Sequence, residues 1–478
     1  MRSLLAIYKS LSLGKRAALW FVFCSFLQKG ITFFTTPLFT RLLSTEQFGY
    51  WTLFQSWETV LTIVVTFNLT SGCYMQSLVK FDNQKDDLTS SFVTLLTLIL
   101  LAFLGIFFIA PSYFSALIGL PERYVLAMFV SIWATAMFLF WSVRQRVDLN
   151  YAPFVALSVV YVLVVSIVGI VAVLLAPESL KADARIFSYA GSCFLLFFAL
   201  GIYQFRKGRK RFSLKIWKRA LKYNVPLIPH YLSQTLINQF SRVQVSMYCG
   251  VAAAGVFGLA YSVGMAILVL NSAVLNVLTP WVYQKLKADR ATDIKRGFLP
   301  AFVMLFAACL LVSAMSPELV AFFAPSSYSE AAWIVPPIAV CTYFMLSQSF
   351  YDNYILYYER TIFLSVASIV AAIANITLNA LVIPQFGLVS AGYTTLICFI
   401  LSSVVHCIFS QSVVKKESNH SIIVPIKSIY IMGVTLIAVS ILFSVIASCI
   451  ALRYIIAFLA FIGVCISILF FLKHGKSA

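Results

Sequence analysis

Gln28-Lys29-Gly30-Ile31-Thr32, followed by Phe48-Gly49-Tyr50-Trp51-Thr52-Leu53, opens the first half of the chain. Gln234-Thr235-Leu236-Ile237-Asn238, followed by Ala254-Gly255-Val256-Phe257-Gly258-Leu259, opens the second half at the same spacing. In each half an apolar helix with one internal cation, Lys29 and then Arg242, leads through a glycine-marked turn into a further helix. Two similar bundles with positive charge inside hydrocarbon argue for a transporter of an anionic substrate rather than for a structural anchor.

The composition agrees. The chain is 61% hydrophobic and 11% charged, against about 25% charged residues in soluble domains, so its surface faces lipid. The fold class is all-α, a polytopic membrane protein. Met1 to Arg16 is a short amphipathic stretch with no small-residue cleavage site, and it is expected along the cytoplasmic face of the membrane. The ten cysteines are scattered singly from Cys24 to Cys465 with no CxxC spacing, so no metal site is expected. Such cysteines serve as small side chains compatible with lipid.

A window of about 20 apolar residues finds fourteen predicted spans. Six run over 17–38, 48–75, 89–110, 123–142, 154–176 and 184–205. Six more run over 224–248, 255–283, 298–322, 332–357, 362–382 and 389–412, and a last pair over 426–449 and 453–472. The expected organisation is an N-terminal lobe over 1–205, a basic cytoplasmic linker over 206–223 and a C-terminal lobe over 224–412. The final helix pair and a cytoplasmic tail fill 413–478.

Orientation follows from the 35 Lys and Arg residues. With both termini in the cytoplasm, the opposite side keeps only Arg41, Arg123, Lys181, Arg185 and Arg453, and nearly all other cations fall in cytoplasmic connections. The net charge of +19 is therefore topogenic, and no nucleic-acid partner is expected. The densest run, Arg206-Lys207-Gly208-Arg209-Lys210-Arg211, reads either as a linker between bundles or as a contact for anionic headgroups. No loop is long enough for a catalytic or nucleotide-binding domain, and no GxxxxGK[ST] occurs, so the chain does not hydrolyse ATP.

Polar side chains inside the spans form stripes. The first span carries Ser25, Gln28, Lys29, Thr32 and Thr36 within about a 100° arc. The seventh carries His230, Gln234, Asn238 and Arg242, each four residues from the last, and the second carries Gln55, Glu58, Thr62 and Thr66. Such stripes cannot face lipid, because unsatisfied polar groups there cost several kcal/mol each. Lys29 has two readings: an ion pair with Glu58 on the neighbouring span, or a cavity cation that receives phosphate or an acidic sugar. Arg242 either snorkels to the outer interface or offers its planar fork to phosphate oxygens.

Gln348, Asp352 and Asn353 make a further polar spot, and Ser368, Asn375 and Asn379 stripe the eleventh span. Asp352 and Glu58 are candidates for coupling to H⁺ or Na⁺; no other cofactor is expected. Pro37, Pro226, Pro229, Pro280 and the Pro336-Pro337 pair lie near span ends, which suits either rocking bundles or static kinked packing. His230, His406, His420 and His474 are isolated in sequence, and no catalytic constellation is visible. The chain is not expected to be an enzyme.

Pro37-Leu38-Phe39-Thr40-Arg41-Leu42-Leu43-Ser44, with Glu46-Gln47-Phe48-Gly49-Tyr50, resembles the opening of the polysaccharide transport family. These are the Wzx-like O-antigen flippases of the multidrug/oligosaccharidyl-lipid/polysaccharide exporter superfamily. Tyr223-Asn224-Val225-Pro226-Leu227-Ile228-Pro229-His230, with Asn238, Arg242 and Gly255 through Tyr261, resembles their passage from the seventh helix to the eighth. The resemblance implies a V-shaped pair of six-helix lobes around a cationic cavity. It implies transfer of a polyprenyl-pyrophosphate-linked oligosaccharide from the cytoplasmic to the periplasmic leaflet of a bacterial inner membrane. The substrate would be bound by Lys29, Arg242, Gln28, Gln234, Asn238, Ser25, Thr32 and His230. The lipid bilayer, a glycan polymerase and a chain-length regulator are the expected partners. The family often carries an acidic residue just before the helix-7 arginine; here that residue is Ser241.

Two other readings compete. A cation-coupled multidrug exporter would favour buried carboxylates, whereas the deepest charge here is Lys29. A membrane polymerase or ligase of lipid-linked glycans would need a large external loop.

Overall fold

The computed structural model describes residues 12–288, 291–418, 426–446 and 449–474; most of the N-terminal amphipathic stretch and the last residues of the tail lie outside them. Among the described residues there is no strand, and twelve helices are long and apolar enough to cross a membrane. The protein is an all-α, polytopic membrane protein. It divides into two compact units, Met1–Leu232 and Ser233–Ala478.

The first unit contains α1 (Leu13–Leu42), α2 (Thr45–Thr66), α3 (Gly72–Lys80), α4 (Lys85–Ile109) and α5 (Pro111–Ile118). It continues with α6 (Glu122–Val147), α7 (Tyr151–Leu175), α8 (Lys181–Lys207), α9 (Leu214–Asn224) and the start of α10 (Ile228–Cys249). The rest of α10 belongs to the second unit, followed by α11 (Val251–Gly264), α12 (Leu268–Lys287), α13 (Ala291–Ala314), α14 (Ser316–Phe323) and α15 (Ala331–Tyr357). The chain then forms α16 (Ile362–Phe386), α17 (Ser390–Ser418), α18 (Ile426–Ile446) and α19 (Ile450–His474).

Two of the fourteen predicted spans are missing from the twelve apolar helices, and both carry polar stripes. They are α2 and α10, each 22 residues long. At 1.5 Å per residue, about 33 Å is enough to cross hydrocarbon. Glu58 and Gln55 on one, and His230, Gln234, Asn238 and Arg242 on the other, lower their hydropathy. The second span also ends earlier than expected. After Thr66 the backbone turns left-handed at Phe67 and Asn68, with φ of 48° and 52°. Asn68 holds the turn: its backbone amide donates to Thr66 Oγ1 at 3.2 Å and its side-chain Oδ1 accepts from Ser71 Oγ at 2.8 Å. The apolar run continues through this turn, so hydropathy alone does not register it. The eighth span is likewise broken by the 3-10 turn Met265–Ile267. Gly264 precedes it, where a Cβ would stand 2.8 Å from Ile338 Cγ2.

Ser44 starts α2 with a capping box. Its Oγ accepts from the Gln47 amide at 3.2 Å, and Gln47 Oε1 accepts from the Ser44 amide at 3.0 Å. The first unit centres on aromatic packing, with the Tyr74 ring 4.8 Å from Phe140 and 5.2 Å from Phe92. The basic linker is fastened to this unit. Ser90 Oγ donates to Gln204 O at 2.6 Å and accepts from the Gly208 amide at 2.8 Å, and Asp87 accepts from the amides of Arg209 and Lys210. A Cβ at Gly208 would stand 2.4 Å from Asp86 O, so the close approach requires glycine. Beyond the linker, α9 lays Ile216, Trp217 and Leu221 on the core, with the Trp217 indole donating to Ser91.

In the second unit α15 is the central helix, most of its length buried by its neighbours. Close approach is again bought by small residues, as a Cβ at Gly433 would stand 2.8 Å from Phe344. Arg453, near the start of α19, is buried and forked onto Glu318, with nitrogen–oxygen distances of 2.8 and 2.9 Å.

Candidate functional site

The stripe on α1 is uncovered. One face of the helix packs on α7, with Trp20 stacked on Tyr151 and Phe21 edge-on to Phe154. Ser25, Lys29 and Thr32 are exposed on another face, while Gln28 and Thr36 are half-buried. The hydroxyls bond back along their own helix, Ser25 to Phe21 O and Thr32 to Gln28 O, both at 3.0 Å. Their lone pairs stay available to accept. Lys29 has no ion-pair partner among the described residues.

Glu58 does not pair with Lys29. Its Oε1 accepts from Ser131 Oγ of α6 at 2.5 Å, so this carboxylate is tied into the helix packing of the first unit. No Lys29–Glu58 ion pair is present among the described residues, where this internal hydrogen bond engages the carboxylate instead.

The stripe on α10 is bonded up. Gln234 Nε2 donates to Ser368 Oγ of α16 at 2.6 Å, and Asn238 Nδ2 donates to Gln234 O at 2.8 Å. Tyr261 of α11 donates to Asn238 Oδ1 at 3.1 Å, and its ring carries the Arg242 guanidinium 4.3 Å from the centroid. Arg242 Nη1 also donates to Gln239 Oε1 at 2.7 Å. Gln234, Asn238 and Arg242 therefore form one connected set. His230 sits a turn earlier, half-buried beside Tyr231, in the part of α10 that belongs to the first unit.

Ser241, at the position where the family often carries an acidic residue, lies in a buried neutral cluster. Its hydroxyl is 3.0 Å from Thr395 Oγ1 and accepts from Asn379 Nδ2 at 3.1 Å. Asn379 also donates to Gln244 Oε1 at 3.1 Å and accepts from Thr394. No carboxylate takes part in these bonds. Asp352 is elsewhere, joined to His406 of α17. No group of three or more His, Cys, Asp or Glu residues could hold a metal among the described residues.

The family model described as polysaccharide biosynthesis protein matches residues 15–286, more than half of the chain and inclusive of both stripes. The chain belongs to that family. No curated protein matches the sequence. Among solved structures, the lipid II flippase MurJ in an inward closed conformation aligns with TM-score 0.68 and 14% identity over 95% of this chain and 99% of that one. An inward-facing multidrug resistance MATE family transporter of the MOP superfamily aligns with TM-score 0.60 and 13% identity, covering 82% and 96%. A MOP superfamily transporter from Pyrococcus furiosus, described as having a binding pocket of reverse polarity, gives TM-score 0.53 and 13% identity over 84% and 96%. At such identities the likeness is one of fold.

In this polysaccharide biosynthesis family member the sequence reading missed three residues. Tyr261 links Asn238 to Arg242, which only the pairing of α10 with α11 discloses. His406 is isolated in sequence but meets Asp352 across two helices. Arg185, counted among external cations, is buried in α8 with its guanidinium 4.0 Å from the rings of both Phe39 and Trp51. Gly169 makes the room, since a Cβ there would meet Arg185 Nη1 at 2.4 Å. The charge is held by two ring faces, binding the end of α1 to α2, α7 and α8.

Proposed function

We propose that the protein is a flippase moving a polyprenyl-pyrophosphate-linked oligosaccharide from the cytoplasmic to the periplasmic leaflet by alternating access through a cationic cavity. An O-antigen-type repeat unit or a related surface glycan is the proposed cargo. The observation that carries this reading is Lys29, an exposed cation on the polar stripe of α1 with no counter-charge among the described residues. Such a charge costs roughly 2.5–3.5 kcal/mol at the centre of a membrane helix, so its retention calls for an anionic partner. A pyrophosphate leaving water needs that compensation.

Arg242 supplies a second cation, and the amides and hydroxyls of Gln28, Gln234, Asn238, Ser25, Thr32 and His230's imidazole suit sugar hydroxyls. The family's description and the lipid II cargo of the similarly folded MurJ support a lipid-linked glycan. The protein acts as a transporter, with no bond made or broken. Its proposed place is a bacterial inner membrane, both termini cytoplasmic, working with a glycan polymerase and a chain-length regulator. The lobe, linker and tail boundaries at 205, 223 and 412 are proposed with it, as is ion coupling through Glu58 or Asp352.

The test is reconstitution of the full chain in liposomes holding a synthetic polyprenyl-pyrophosphate oligosaccharide, with leaflet exposure read by a membrane-impermeant sugar-cleaving enzyme. Transfer of this lipid but not of its uncharged polyprenol glycoside is the expected result. Transfer of a cationic drug, with no transfer of the lipid, would overturn the reading in favour of a multidrug exporter.

A further inference from the structure

Helices α15 and α17 are joined by three polar rungs, one helical turn separating the third from the other two. Ser403 Oγ donates to Ser347 Oγ at 2.8 Å, Ser402 Oγ donates to Gln348 Oε1 at 3.0 Å, and Asp352 Oδ1 meets His406 Nδ1. The first two rungs are neutral. The third holds two titratable groups within helices of membrane-spanning length. His406 is wholly buried, and its Nε2 has no hydrogen-bond partner; the Asp352 side chain remains 22% exposed. A buried imidazole with one nitrogen committed and the other unclaimed departs from the rule that such atoms are paired.

We propose that Asp352–His406 is the proton-binding site that couples transport to a pH gradient. This deepens the flippase reading and rests on it. With Nδ1–H donating to the carboxylate, the neutral imidazole keeps a lone pair on Nε2. A proton from water adds there, no other bond changes, and the pair passes from one net negative charge to none. Release to water on the other side restores it. Because an unneutralised charge is costly among apolar helices, the two protonation states favour different exposures of this rung.

The surroundings leave the change to the pair itself. Tyr283 of α12 lies near Asp352 and packs on Tyr357. From α13, Phe298 packs against Phe350 at 4.4 Å, and α18 brings Tyr430, which meets Ser403 at 3.2 Å. Cys407 and Tyr351 lie together beside Tyr430. Of the cations on the adjoining segments, Arg360 just beyond α15 is engaged by Glu417 at 2.6 and 3.0 Å, and Lys285 on α12 by Asp293 at 3.0 Å. A hard metal cation needs several oxygen ligands, whereas this rung offers one carboxylate beside an imidazole, so the proton is the fitting ion.

Two measurements test it. Purified full-length protein stepped from pH 8 to pH 5 should bind about one proton per chain more than the Asp352→Asn/His406→Gln double variant. In liposomes, an imposed pH gradient should drive asymmetric accumulation of the lipid-linked oligosaccharide by the native protein. His406→Gln and Asp352→Asn should lose at least tenfold of that accumulation yet still equilibrate the lipid between leaflets without a gradient. Equal proton uptake in native and double variant would overturn the proposal, as would gradient-driven accumulation unchanged in both single variants. Normal proton uptake with no lipid transfer by the native protein would defeat the flippase reading and leave a proton site with another cargo.

Discussion

The two polar stripes occupy matching places in the two halves of the sequence, yet the fold treats them differently. On α1, Ser25, Lys29 and Thr32 are exposed and their hydroxyls bond only to their own helix. On α10, Gln234 and Asn238 are tied to Ser368 and Tyr261, and the neighbouring Ser241 sits inside a closed polar cluster. Helical polarity has two uses here. A stripe whose groups bond to neighbouring helices fixes packing, and one left uncovered is available to a ligand. Substitutions of the bonded neutral side chains around α10 should therefore cost chiefly stability, whereas loss of Lys29 on α1 should cost chiefly transport.

The largest effect is expected in the closed cluster. Asn379→Leu removes a side chain that bonds Ser241, Gln244 and Thr394 at once; it leaves Gln244 Oε1 and the Ser241–Thr394 side of the cluster short of one partner each, although Ser241 keeps Thr395 and Thr394 keeps Ser390 O and Ala391 O. One buried group left without its partner costs about 1–3 kcal/mol and each further lost bond about 1 kcal/mol, so a loss of about 2–3 kcal/mol should show as a lower thermal unfolding midpoint in detergent. A midpoint unchanged from the native protein would mean the cluster does not hold the helices together.

Next comes Lys29→Ala, which should lower lipid-linked glycan transfer about tenfold, equivalent to about 1.4 kcal/mol, with unfolding unchanged. Lys29→Arg should keep most of the activity, since charge rather than fork geometry is required. Because Glu58 is bonded to Ser131, adding Glu58→Ala to Lys29→Ala should not restore transfer. Rescue by the double change would reinstate the ion pair and bring the two stripes back to a common structural role.

The fold was legible because apolar length, loop charge and glycine-marked turns are local properties of the chain. The predicted spans 17–38 and 332–357 fall within thirty-residue α1 and twenty-seven-residue α15, the first helix running four residues further at each end. The left-handed turn at Phe67-Asn68 was not legible, because hydropathy does not register φ. The site was half legible. Periodicity placed Gln234, Asn238 and Arg242 on one face, but their partners Ser368 and Tyr261 come from other helices. Arg185 shows the limit most plainly: five residues into α8 it reads as an external loop cation, and only packing puts Phe39 and Trp51 on its two faces.

A smaller effect is expected from Tyr261→Phe. The change keeps the ring under Arg242 and removes only the hydroxyl given to Asn238. About 1 kcal/mol, shared between stability and transfer, is the scale of one such bond. Tyr261→Ala should lower transfer further, because the cation also loses its aromatic support. Equal transfer in both variants would show that the ring contributes nothing to Arg242.

The smallest effects fall on single hydroxyls, and they divide the stripes most cleanly. Thr32 Oγ1 donates only to Gln28 O, a carbonyl that its own helix already engages. Thr32→Ala should change stability by less than about 0.5 kcal/mol, the range of ordinary surface substitutions. Ser368 Oγ instead receives the Gln234 amide across two helices, and Ser368 is fully buried. Ser368→Ala leaves that amide without its acceptor and should cost about 1 kcal/mol, visible as a small drop in the unfolding midpoint. Cysteines at the same two positions, in a background cleared of native cysteines, give the complementary reading. Thr32→Cys should react with a membrane-impermeant thiol reagent, and Ser368→Cys should resist it. Equal protection of both would mean that α1 is covered in the membrane and that Thr32, like Ser368, belongs to helix packing.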